Sequence, residues 1–305
     1  MSFFSAVFLA VGISLFVFGM LLIKYTLKEN FGEKMKYILS GCTKNRFSAV
    51  FTGAFVTFAM QSSSASSVLT AAFVDNGYLS TDKAFWIIVG ANAGTAFTGL
   101  ITATDMTKTA PALCILGVAL ISFTKKKKTA AAGIFLTGLG LLFVGMKLMG
   151  DAVNGISDSA FFAKVLSMCA SPLSGMLAGM FFTALIQSSS AVTALLQVLA
   201  ADGLAGIRHT YYIILGSNIG TCTTCAISCA GLSQGAKTVA YMHIIYNAVS
   251  SVLFLVIALF LPLPEFVEAV SGGNIKTAVA LINIIVNTAT VFPALLVPVN
   301  KLTVR

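Results

Sequence analysis

Charge is what this sequence most lacks. Only 10% of its 305 residues are Asp, Glu, Lys or Arg, against about 25% in ordinary soluble domains. Hydrophobic residues make up 57%, which excludes a water-soluble globular domain. Acidic side chains are scarcer still inside the apolar runs. All ten (Glu29, Glu33, Asp75, Asp82, Asp105, Asp151, Asp158, Asp202, Glu265, Glu268) fall in or beside expected loops, so the carboxylate relay of a proton-coupled carrier is missing. Only His243 is left for such a relay, and a histidine bonded between helices is its ordinary reading. Phe3 to Ile23 is not expected to be a cleavable leader, because it has no positive region before it and exceeds the ~7–15 apolar residues of a signal peptide. Leu39-Ser40-Gly41-Cys42 has the shape of a lipoprotein box, but the stretch before it carries Lys28, Glu29, Glu33, Lys34 and Lys36. No paired-cysteine pattern suggests disulfides. Cys222, Cys225 and Cys229 share one helical face among small residues, which reads as packing rather than a metal site. The net charge of +9 is dispersed between apolar spans, without the basic helix or aromatic platform of a nucleic-acid module.

Long apolar runs are what is present. Phe3 to Ile23, Thr129 to Met149, Thr238 to Leu261 and Ile275 to Val299 each offer the ~20 residues a helix needs to cross a bilayer. The chain also repeats itself. Residues 53–65 read GAFVTFAMQSSSA and residues 179–191 read GMFFTALIQSSSA, identical at eight of thirteen positions with an offset of 187 − 61 = 126. The same offset aligns Gly19-Met20 with Gly145-Met146, and Gly90-Ala91-Asn92-Ala93-Gly94-Thr95 with Gly216-Ser217-Asn218-Ile219-Gly220-Thr221. Two copies follow, residues 1–126 and 127–264, with an extra C-terminal span in 265–305.

Each copy reads as a span (3–23; 129–149), a hairpin turning at Gln-Ser-Ser-Ser (47–75; 173–201), a span broken at Gly-x-Asn-x-Gly-Thr (84–101; 210–227) and a further span (109–124; 238–261). The arm from Phe47 to Met60 reaches only ~21 Å at about 1.5 Å per residue, short of the ~30 Å core. The chain is therefore expected to turn back inside the membrane, where serine hydroxyls satisfy the freed backbone. Three crossings per copy make the second copy inverted. The expectation is an all-α polytopic membrane protein of two inverted-topology repeats. On this layout one side receives Lys24, Lys28, Lys34, Lys36, Lys44, Arg46, Lys83, Lys125 to Lys128, Lys237, Lys301 and Arg305, which is 14 basic residues. The other receives Lys108, Lys147, Lys164, Arg208 and Lys276, which is 5 of the 19 in all. The richer side is cytoplasmic, so the N-terminus is expected outside and the C-terminus inside, with the Lys125–Lys128 run as an orientation signal.

Inverted repeats with paired interrupted helices point to a secondary transporter with a midplane site. The serines after each turn open a helix, whose free N–H groups favour an anion. Ser62, Ser63, Ser64 and Ser188, Ser189, Ser190 add hydroxyl donors. No lysine or arginine lies in the span cores to neutralise a multivalent anion, so bound cations must help. Gln61, Gln187, Asn92 and Asn218 supply neutral carbonyl oxygens, and Thr95 and Thr221 supply hydroxyls, ligands that suit sodium. Packing alone accounts for one Ser-Ser-Ser; two at one offset, each paired with an Asn-Gly-Thr element, favour function.

The pair Gln61-Ser62-Ser63-Ser64 and Gln187-Ser188-Ser189-Ser190 resembles the duplicated QSSS signature of the type II sodium–phosphate cotransporter family. The Asn-Gly-Thr elements and Ala240-x-x-His243-x-x-Tyr246-Asn247 are also similar to family patterns, and the likeness runs to about residue 264. The resemblance implies sodium-coupled phosphate transport in the cell membrane. By it the QSSS turns, Gln61 and Gln187 included, line the phosphate and sodium sites, and the Asn-Gly-Thr segments contribute. It implies sodium as the co-transported ion and no organic cofactor. Tyr246 stands where the family commonly has Phe, and Gly117 and Ile121 occupy the first-copy places of the His-x-x-x-Asn element. The resemblance is to a bacterial member, and with Arg305 as the last residue given the soluble regulatory domain of many longer relatives is not expected. Oligomeric state stays open, homo-oligomers included, as do oxyanion selectivity, stoichiometry and direction. A passive or differently coupled oxyanion channel or exporter on the same frame is the alternative. A membrane enzyme is disfavoured, since Ser80-Thr81-Asp82-Lys83 has Ser-x-x-Lys spacing without its companion motifs.

Overall fold

A computed structural model describes residues 3–41, 45–104, 106–155, 164, 166–169 and 171–296. Cys42, Lys44, Asp105, Asp158, Lys301 and Arg305, together with both chain ends, lie outside the described residues. Those that are described form helices and no strand. In order they are α1 (Phe3–Gly41), α2 (Arg46–Met60), α3 (Ser63–Asp75), α4 (Thr81–Ala96), α5 (Thr98–Ala103), α6 (Ala110–Phe123) and α7 (Lys127–Asn154). Then follow α8 (Pro172–Ile186), α9 (Ser189–Ala201), α10 (Ile207–Cys229), α11 (Gln234–Phe260), α12 (Leu263–Val270), α13 (Ile275–Ala289) and α14 (Val291–Leu296).

Six stretches among the described residues are long and apolar enough to cross a membrane: Phe4–Asn30, Thr81–Ala103, Lys127–Asn154, Ile207–Cys229, Gln234–Phe260 and Ile275–Leu296. The chain is a multi-pass, all-α membrane protein. Its outer face carries large apolar side chains such as Phe51, Leu116, Phe181 and Val249, all exposed, as a surface solvated by lipid requires. The expected span at 109–124 forms only the 14-residue α6, about 21 Å long.

Glycine sets how closely the helices approach. In α1 and α7, Gly12 meets the Gly145 carbonyl and Gly19 meets the Gly138 carbonyl, so the two helices run antiparallel. Gly12 and Gly138 are 126 residues apart, as are Gly19 and Gly145, so the contact maps onto itself when the copies are exchanged. Elsewhere the same device packs a span against a hairpin arm. A Cβ at Gly53 would meet Ile87 O and one at Gly90 would meet Val50 O, while Gly179 and Gly216 stand against Ile213 O and Met176 O.

This packing overturns one expectation. The Gly-x-Asn-x-Gly-Thr elements are themselves helical, and only the first copy's span is interrupted, two residues beyond its element. α4 runs through Gly94 and Thr95 to Ala96, one residue (Phe97) separates it from α5, and α10 continues unbroken from Ile207 to Cys229. Glycines four apart lie on one stripe of a helix, here turned to the neighbouring backbone, and Asn and Thr three apart lie on another.

The hairpin arms are local products of their sequences. Asn45 and Ser48 make a reciprocal capping box at the start of α2, and Ser171 caps α8 with Pro172 following. Each first arm ends on a glutamine in the left-handed region, Gln61 at φ 51° and Gln187 at φ 56°, the only non-glycine residues described there. An extended serine follows, and its hydroxyl accepts from the N–H three residues on: Ser62 from Ala65, Ser188 from Ala191. At 15 and 13 residues the arms of both hairpins fall short of a full crossing.

Candidate functional site

The two turns contribute to one small polar cavity. From the first copy Ser63, Asn92 and Thr95 line it, and from the second Ser189, Asn218 and Thr221, three pairs at the 126-residue offset. Ser63 and Ser189 are the first helical residues of α3 and α9, so two helix N-termini, with their unsatisfied N–H groups, bear on the same point. No charged side chain lines the cavity.

Three further asparagines complete it: Asn247 from α11, and Asn283 and Asn287 from α13. Asn92 Nδ2 donates to Asn247 Oδ1 at 2.9 Å, and Asn247 Nδ2 donates to the His243 carbonyl at 3.0 Å. In the other half Asn287 Nδ2 donates to Asn283 O and Oδ1, both at 2.8 Å, and reaches Asn218 Oδ1 at 3.4 Å. The Thr95 and Thr221 hydroxyls spend their protons on Ala91 O and Ser217 O. These donors thus bond within the network, and the lining is rich in amide and hydroxyl oxygens. Such a lining suits a hard cation, while the helix N-termini suit an anion. The cavity measures ≈ 10 Å³, about what one water needs. A bare monovalent cation fits; a tetrahedral oxyanion needs the lining to move apart.

The other sequence-predicted residues stand outside this lining. Gln61 is 7% exposed, accepting from the Thr98 hydroxyl at 2.9 Å and donating to Phe58 O at 2.6 Å. Gln187 is exposed at its turn. Ser62 and Ser188 serve as caps, and Ser64 and Ser190 are half-buried. The role of Thr98 in holding Gln61 was not visible from sequence.

His243 departs from expectation. It is fully buried, and neither ring nitrogen has a hydrogen-bond partner; its backbone carbonyl accepts from the Asn247 amide and from the Cys222 thiol at 3.5 Å. Cys222, Cys225 and Cys229 are buried along α10, with the last two sulfurs 3.9 Å apart. Among the described residues no three His, Cys, Asp or Glu side chains gather as a metal site.

Missed in the sequence reading were Asn283 and Asn287, although a signal exists. Ala240-x-x-His243-Ile244-Ile245-x-Asn247 and Ala280-x-x-Asn283-Ile284-Ile285-x-Asn287 match at an offset of 287 − 247 = 40. The C-terminal span thus carries an asparagine at the same place in this pattern as α11 does. α11 packs on α3 and α4 as well as on α10, and α13 packs on α9 and α10 as well as on α4 and α5.

The family model described as Na+/Pi-cotransporter matches the chain twice, over residues 15–151 and 144–261. The family is one of transporters rather than enzymes. A Bacillus subtilis (strain 168) relative named "Uncharacterized protein YqeW" is 32% identical over 226 residues, covering 74% of this chain and 69% of that one. One from Escherichia coli (strain K12), named "Putative inorganic phosphate export protein YjbB", is 25% identical over 244 residues, 80% of this chain but 45% of its own length. The human sodium-dependent phosphate transport protein 2C is 32% identical over 144 residues, 44% of this chain and 24% of its own. No solved structure matches.

Proposed function

The chain belongs to the Na+/Pi-cotransporter family, and we propose that it is a secondary active transporter coupling sodium entry to the movement of inorganic phosphate across the cell membrane. The observation that carries this reading is the cavity shared by the two copies, with paired Ser, Asn and Thr, oxygen ligands and no fixed charge. Sodium takes the oxygens of Asn92, Thr95, Asn218 and Thr221, with Gln61 and Gln187 joining from the turns. Phosphate takes the helix N-termini and hydroxyls at Ser62, Ser63, Ser64 and Ser188, Ser189, Ser190, beside Gln61 and Gln187. A fixed carboxylate would repel phosphate, whereas mobile sodium ions neutralise it and leave with it.

We read the two copies as inverted repeats with re-entrant hairpins. The antiparallel, exchange-symmetric contact of α1 with α7 supports this, as do the two family matches. A cavity too small for phosphate is an occluded state on this reading. The left-handed glutamines, which store about 1–3 kcal/mol of backbone strain each, are the points where the hairpins open. Gln187 supports an access side: an exposed amide facing hydrocarbon is costly, so its surroundings are aqueous, while Gln61 is sealed by α5. With the N-terminus outside, the second hairpin is reached from outside.

The relative named for phosphate export favours one further reading, the same machine run outward. Radiolabelled phosphate uptake into proteoliposomes, with and without an inward sodium gradient, tests the proposal. Accumulation above equilibrium only with the gradient is expected. Equal uptake driven by a proton gradient in sodium-free buffer refutes it, and uptake that never exceeds equilibrium indicates a channel.

A further inference from the structure

The four lysines 125–128 have a partner surface that transport does not use. Between α1 and α7 runs a groove of ≈ 650 Å³, lined by Thr26 and Asn30 on one side and Lys128, Ala131, Ala132, Phe135 and Leu136 on the other. Because the helices are antiparallel, Asn30 of α1 stands level with Lys128 at the start of α7. From Lys128 the α7 wall descends eight residues to Leu136, about 12 Å into the membrane, and turns wholly apolar. All four lysines are exposed, and no ion pair joins any of them to a described carboxylate. Lys24 and Lys28 lie on the neighbouring turns of α1, where Glu29 is the one acidic side chain described. Thr26 and Asn30 give their protons to α1's own carbonyls, Leu22 O at 2.9 Å and Thr26 O at 2.7 Å. The lysines are therefore the donors open to a ligand.

A cationic mouth above an apolar floor between two membrane helices has the polarity profile of an acidic lipid. We propose that this groove holds an anionic phospholipid, its headgroup phosphate on Lys128 and the neighbouring lysines and an acyl chain along Ala131, Ala132, Phe135 and Leu136. Free phosphate shares the headgroup chemistry but has nothing to place on the apolar floor. The site is independent of the central cavity, and the lipid would brace α1 against α7, the pair that joins the two copies.

The test is native mass spectrometry of the full chain in phosphatidylcholine-supplemented detergent, titrated with phosphatidylglycerol. Saturable retention of phosphatidylglycerol over phosphatidylcholine is expected. Lys127→Gln and Lys128→Gln should each weaken it about fivefold, as ~1 kcal/mol per basic residue implies. Lys276→Gln, assigned to the opposite side, should leave it unchanged. Ala132→Phe, which fills the floor and keeps the charge, should lower retention as well; should it misfold, Ala132→Leu makes the same test. Millimolar inorganic phosphate should not displace the lipid. Retention indifferent to the lysines, equally sensitive to Lys276→Gln, equal for phosphatidylcholine, or abolished by inorganic phosphate overturns the proposal.

Discussion

Replacing Asn287 with alanine asks whether the last span belongs to the transport site. The side chain bridges α13 to α10: its amide nitrogen donates to Asn283 O and Oδ1 at 2.8 Å and approaches Asn218 Oδ1 at 3.4 Å. Truncation leaves the Asn283 and Asn218 side-chain oxygens without that donor and removes one oxygen from the cavity. An unpaired buried polar group costs roughly 1–3 kcal/mol. Taking ~2 kcal/mol as the part felt by a bound cation, half-saturating sodium should rise roughly thirtyfold, since about 1.4 kcal/mol is tenfold.

The assay is initial phosphate uptake into proteoliposomes across a sodium titration, with thermal stability in detergent measured in parallel. Asn247→Ala should behave alike, because Asn247 holds Asn92 at 2.9 Å as Asn287 holds Asn218. An Asn287→Ala protein within twofold of wild type in sodium dependence, alongside an inactive Asn247→Ala, would refute the reasoning and return α13 to a merely supporting helix.

Three other outcomes follow from the geometry. Gly216→Ala puts a methyl group against Met176 O and should cost about 1–3 kcal/mol by overpacking, lowering the melting temperature, whereas Gly231→Ala meets nothing within 4 Å and should not; equal melting of the two variants refutes the close approach. Cysteine in place of Gln187 should react with an impermeant thiol reagent and cysteine in place of Gln61 should not, given the exposure of one and burial of the other; equal labelling of both removes the asymmetry. Asp75 accepts from the Ser233 N–H at 2.7 Å, a bond that lowers its carboxyl pKa. Its contribution is therefore full above the unfolded value of about 4 and is lost as pH falls through the folded value. The melting difference between wild type and Asp75→Asn should shrink as pH falls below the unfolded value, and a constant difference contradicts the link.

Much of this was legible in the residues because duplication amplifies weak signals. One Gln-Ser-Ser-Ser says little, but two at a fixed offset, each with its Asn and Thr, mark the elements that line the cavity. Identity and position along the chain could not say which member of each serine triplet faces inward. That depends on the left-handed turn at Gln61 and Gln187, after which the next serine caps and only Ser63 and Ser189 line the cavity. The glycines misled for a physical reason: glycine loosens a helix in water, but between membrane helices it permits carbonyl contact and keeps the helix whole. His243, legible as an interhelical bond, proved to have no side-chain partner.

The 40-residue offset changes what counts as a half. In sequence α6 is the counterpart of α11, yet α6 carries Gly117 and Ile121 where α11 carries His243 and Asn247, and it packs on α7, away from the cavity. The place α11 takes beside α3 and α4 is taken beside α9 and α10 by α13. Asn92 is therefore held by a helix from the second sequence copy, and Asn218 by a helix beyond both copies. Each set of hairpin and span is completed by a helix encoded outside its own copy, so the two sets cannot move as the independent units that the duplication alone implies. Any motion that separates α4 from α10 must carry Asn247 and Asn287 with their partners or break those bonds. The site's own hydrogen bonds thereby couple the two turns.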